Sequence, residues 1–110
     1  MVESVVMRNI RSAFDYCGYS LDEVMNTKSR KRIYSDLRSI VWTIYCNEQK
    51  VTAGQASRAF GWDRATIYCS MMRVPVLRKS DKVYSDMYDA IHGAYLAYSS
   101  KEDGGEADGE

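Results

Sequence analysis

A chain of 110 residues that is 45% hydrophobic, with 15 basic and 15 acidic side chains, holds one domain and leaves no room for a separate catalytic module. Folding at this size buries roughly 60–65% of the unfolded surface, enough for a core without metal or disulfide staples, and a single Pro with few Gly points to helices. The neutral total hides a segregation: the last ten residues, KEDGGEADGE, carry one Lys against five acids, a charge of −4, so the preceding hundred carry +4, which fits a polyanion partner.

In chain order, Val6, Ile10, Ala13, Phe14 and Cys17 recur at the three-and-four spacing of a helix with one buried face, from Ser4 to about Cys17, and Gly18 ends it. Ser20-Leu21-Asp22-Glu23 has the form of a capping box, opening a short helix to about Asn26. The run TKSRKR, Thr27 to Arg32, holds four basic residues and no apolar one. It reads as plain surface charge, or as a loop whose Lys28, Arg30, Lys31 or Arg32 follows a nucleic-acid backbone or enters a minor groove. From Lys31 to Asn47 the pattern predicts the central helix, with Ile33, Leu37, Ile40, Val41, Ile44 and Tyr45 inward and Trp42 flanking them.

Val51 to Met72, VTAGQASRAFGWDRATIYCSMM, predicts two short helices joined by a Gly-Trp turn, the layout of a helix-turn-helix. Thr52 and Gln55 form a second capping box, Ala53, Ala56, Ala59 and Phe60 give a small-residue face, and Gly61 stops the first helix. Asp63 is placed to cap a second helix that buries Ile67, Met71 and Val74 and turns Arg64, Ala65 and Tyr68 to solvent. Pro75, lacking an amide donor, should end or kink that helix near Arg73. Ser80 or Asp81 then opens a last helix with Val83, Met87, Ile91, Ala94 and Tyr98 inward, ending near Tyr98. A disordered acidic tail is expected over residues 100–110. Tyr84, Tyr88 and Tyr95 widen its apolar face, resting on the domain edge or leaving room for a partner.

Such a second helix fits the major groove of B-DNA, where its first residues reach base edges and its amides face phosphate. Arg64 is suited to a bidentate pair with guanine, Ala65 or the Thr66 methyl to a thymine methyl, the Thr66 hydroxyl to a phosphate, and Asp63 to capping or to a cytosine amine. Cys17, Cys46 and Cys69 are odd in number and widely spaced, which argues for a reducing cytosol and against a metal site. MVESVVMRNIRSAF is interrupted by Glu3, Arg8 and Arg11, no leader peptide is expected there, and no apolar run approaches a membrane span. His92 shares no motif with an acid or nucleophile, so neither catalysis nor a cofactor is expected.

These residues resemble the carboxy-terminal DNA-binding domain of the bacterial replication initiator DnaA, a Trp-repressor-like helix-turn-helix. Set against that family, its long-helix arginine falls on Arg38, its helix-opening serine on Thr52, its Glu on Gln55 and its Phe-Gly on Phe60-Gly61. After a one-residue deletion beyond Trp62, Asp63, Thr66 and Ile67 match the signature's Asp, second Thr and Val, while Arg64, Ala65 and Cys69 replace its His, first Thr and second His. The resemblance spans about Ser4 to Ile91 and leaves out the family's ATPase module with its phosphate-binding loop.

It implies an all-α domain of about six helices over residues 1–99 that binds double-stranded DNA in replication initiation or transcriptional control, including that of a phage or mobile element. By resemblance, Asp63, Arg64 and Ala65 read bases, Thr66 holds a phosphate with Thr52 and Gln55 beside it, and one of Lys28, Arg30, Lys31 and Arg32 enters the minor groove. The alternative is a protein-interaction module that keeps the fold and holds its partner through Tyr84, Tyr88, Tyr95 and the acidic tail.

Overall fold

Five of the six described helices begin where a side-chain oxygen accepts from an amide of the first turn. A computed structural model describes residues 4–108, with side-chain surroundings for 4–100. Helix α1 (Val5–Tyr16) starts where the Met7 amide donates to Ser4 Oγ at 3.1 Å, and it stops before Gly18, whose φ of 89° suits a residue without Cβ. Helix α2 (Leu21–Asn26) is capped by Ser20, which accepts from the Glu23 amide at 3.2 Å. The Glu23 carboxylate accepts from the Tyr34 hydroxyl at 2.7 Å, tying α2 to α3 (Arg32–Gln49). Helices α4 (Ala53–Phe60), α5 (Arg64–Ser80) and α6 (Lys82–Asp108) complete the chain, and no strand occurs among the described residues.

Helix α3 touches each of the other five helices, so its residues dominate the core. Leu37, Ile40, Val41, Trp42 and Ile44 are buried there with Ile10, Ala13 and Phe14 of α1, Val24 of α2, Ala56 of α4 and Ile67 of α5. Each large apolar side chain removed from water in this way contributes roughly 1.5–3 kcal/mol.

Three features depart from the sequence reading. Trp42 is fully buried, packed edge-on against Trp62 at 5.5 Å, whereas Ile33 is exposed, because the first turn of α3 projects beyond the core. Helix α6 is turned by about one residue: Tyr84, Tyr88, Ile91 and Tyr95 are buried, and Val83 is 79% exposed. Its phase is fixed by Asp81, which caps it by accepting from the Tyr84 amide at 3.0 Å, and by the Tyr84 hydroxyl, which meets Ser39 Oγ at 2.7 Å inside the core. The three tyrosines expected to offer a partner surface are therefore interior residues.

Third, α5 does not end at Pro75 but continues to Ser80. Val74 is buried and Leu77 packs against the core, so burial on both sides of the proline keeps the helix from ending there despite the lost amide donor. From residue 101 on, the tail expected over 100–110 falls on positions whose side chains lie outside the described residues, although the helical backbone runs ten residues past the expected end at Tyr98, to Asp108.

Candidate nucleic-acid interface

The chemistry of α4 and α5 is one-sided. From Lys50 to Ser80 there are six basic residues and one acid, and the basic run 27–32 adds four more cations and no carboxylate. That one acid, Asp63, is the N-cap of α5, where its carboxylate accepts from the Thr66 amide at 3.2 Å. The complete capping box at the head of α4 has the Gln55 amide donating to Thr52 Oγ1 at 3.2 Å and the Thr52 amide donating to Gln55 Oε1 at 2.9 Å. Gly61, at φ 71°, ends α4 in the left-handed region, and Ser57 Oγ donates to the Trp62 carbonyl to close the turn.

These caps bring two helix amino termini to one exposed edge. Thr52 and Gln55 at the head of α4, and Asp63, Arg64, Ala65 and Thr66 at the head of α5, are all exposed. Arg64 and Thr52 meet across Gly54: a Cβ there would lie 3.4 Å from the Arg64 side chain and 3.7 Å from Thr52 Oγ1. A groove of about 970 Å³ opens beside them, between the end of α3, the head of α4 and α5, with Arg64, Ala65, Tyr68 and Met71 on one wall. An arginine held against a helix amino terminus meets the positive end of that helix, and an anion between the two would relieve the repulsion.

Two residues to which the sequence reading gave no site role tie the basic loop to this edge. Arg38, only 7% exposed, donates to the carbonyls of Val24 and Thr27 at 3.2 Å and of Ser29 at 3.3 Å. Burial pulls its pKa below the usual arginine value. Trp62, in the turn between α4 and α5, donates from Nε1 to the Met25 carbonyl at 3.1 Å, and its ring is approached by the Lys28 ammonium, 3.9 Å from the centroid, and by the Arg38 guanidinium at 4.7 Å. The one available signal was an arginine within an apolar stripe, followed far along the chain by a tryptophan in a glycine turn.

Lys28, Arg30 and Lys31 are exposed on that loop. Arg32 is separated from them: it belongs to the first turn of α3, and its guanidinium donates to Asp36 Oδ2 at 3.2 Å and to Asp81. Asp36 is buried, which raises its pKa, whereas Asp81 is lowered chiefly by the Tyr84 amide and then by Arg32. Arg32 thus ties α3 to the start of α6 from the first turn of α3, while Lys28 and Arg30 lie on the loop itself. Of the thiols, Cys46 is buried, Cys17 half-buried and Cys69 exposed on α5.

The class these elements define is an all-helical domain of six helices among the described residues, none of them long and apolar enough to cross a membrane. Comparison with protein-family models, with curated proteins and with solved structures gave no significant match.

Proposed function

We propose that this domain binds double-stranded DNA, with α5 presented to the major groove and the 27–31 loop to the neighbouring backbone or minor groove. The observation that carries the reading is the segregation of charge: six basic residues against one capped acid from Lys50 to Ser80, beside a basic loop fastened to the α4–α5 turn by Trp62. A phosphate at the shared edge would meet the first amides of α4, with Thr52 and Gln55 beside them, and the Arg64 guanidinium, while the head of α5 and Thr66 would take the next one. Asp63 and Ala65 then stand at the base edges, and Lys28, Arg30 and Lys31 follow the backbone. The resemblance of these residues to the DnaA carboxy-terminal domain supports a role in replication initiation or transcriptional control, including that of a phage or mobile element.

Fluorescence anisotropy with random duplexes tests the proposal. Engaging at least about four phosphates should weaken binding ~100-fold or more between ~50 and ~200 mM salt. Arg64→Ala is expected to weaken all sequences alike if it clamps phosphate, and to relax preference at one base pair if it reads guanine. The protein-interaction alternative predicts no duplex binding at low salt, and that result would end the DNA reading. It has lost Tyr84, Tyr88 and Tyr95 as its surface, since all three are buried.

A further inference from the structure

The outward face of α5 is apolar along its length. Tyr68, Met72 and Val76, four residues apart, are 55%, 59% and 63% exposed, and the exposed Ala65 and Cys69 lie on the same side. Large apolar side chains in such a row are uncommon on a free helix and mark a surface with a partner. Cations flank it: Arg64 stands at the head of the helix, Arg73 and Lys79 follow on α5, Arg78 is paired with Asp89 of α6, and Asp63 is held in its cap. A partner that is at once polyanionic and apolar at the point of contact fits both features. In the major groove of DNA the apolar group presented by the base pairs is the C5 methyl of thymine.

Resting on the DNA-binding reading above, we infer that α5 recognises the 5-methyl groups of pyrimidines, so that its preferred duplexes are rich in thymine at the positions covered by Ala65, Tyr68 and Met72. In that reading Arg64 takes a phosphate and Asp63 caps α5 through the Thr66 amide while standing at the base edges, which leaves this row as the apolar surface facing the bases. An apolar side chain returns no hydrogen bond to a guanine or cytosine edge, so it desolvates those pairs without compensation. Against a thymine methyl it removes two apolar surfaces from water together. Recognition helices of other DNA-binding folds use residues in their second and third turns for base contacts, which is where Tyr68 and Met72 fall.

The test uses the full chain and four duplexes: an A·T-rich sequence with thymine, the same sequence with uracil, a G·C-rich sequence, and that sequence with 5-methylcytosine. Each methyl in contact should change affinity roughly fourfold, so thymine should bind tighter than uracil and 5-methylcytosine tighter than cytosine. Met72→Gln and Tyr68→Gln, at exposed positions that leave the core untouched, should shrink both differences while keeping the salt dependence. Equal binding of all four duplexes overturns the inference and leaves DNA binding standing. Absence of binding to any of them overturns both, and a concentration-dependent mass abolished by Met72→Gln would then assign the row to self-association.

Discussion

At the scale of single residues, the candidate interface is shaped by two side chains that hold the basic loop from within the fold. Arg38 places its guanidinium on three main-chain carbonyls of the 24–29 segment, and Trp62 adds a fourth such bond from the turn between α4 and α5. A flexible basic loop would lose entropy on meeting a polyanion, and these bonds remove part of that cost before binding. Arg38→Met keeps most of the apolar stem and deletes the donors. We expect it to destabilise the fold by about 2 kcal/mol in urea unfolding and to lower DNA affinity more than Arg30→Ala does. An unchanged unfolding midpoint would mean that water satisfies those carbonyls equally well.

At the scale of elements, α5 is held against its own sequence. Pro75 sits in the twelfth position of a 17-residue helix, and both it and its neighbour Val76 are exposed, so the burial that keeps the helix continuous comes from Val74 and Leu77. Pro75→Ala restores an amide donor without filling any core space. It should raise stability by up to ~3 kcal/mol, the usual penalty for proline within a helix, read as an upward shift in the denaturant midpoint. A lower midpoint would show that the proline ring itself packs in the groove that it lines beside Val74 and Tyr68. The caps act in the other direction: both bonds of the Thr52–Gln55 box secure a helix of only eight residues that could not persist alone.

For the whole molecule, burial of tyrosines makes alkaline pH the informative variable. Tyr84 and Tyr95 are both pushed up to about 12 by burial, from an ordinary value of 10. The folded state therefore binds these protons more tightly than the unfolded chain does. Their contribution is fully present below about pH 10 and is lost as the pH rises toward 12, where a buried phenolate would have to form. Thermal melts at stepped pH should show a steep fall over that window, and Tyr84→Phe should flatten it while giving up the bond to Ser39. Asp81 works in the acid range with the opposite sign: its lowered pKa stabilises the fold above the ordinary carboxylate range, and this is lost as the pH drops.

Local chemistry determined much of this protein from its sequence. Ser4, Ser20, Thr52 and Asp63 cap where hydroxyl or carboxylate residues precede apolar periods, and Gly18 and Gly61 take positive φ where those periods stop, because these bonds span only a few residues. The all-helical class and the exposed head of α5 follow from the same short-range rules. Tertiary packing alone decided the phase of α6, the burial of Trp42, the passage of α5 through Pro75 and the capture of Arg32 by Asp81, 49 residues away. Amphipathic Tyr and Trp side chains fit either a core or a surface, so only the surrounding helices could assign them. The hold of Arg38 and Trp62 on the basic loop has the same origin: carbonyl acceptors carry no mark in the sequence, and folding brings them within reach.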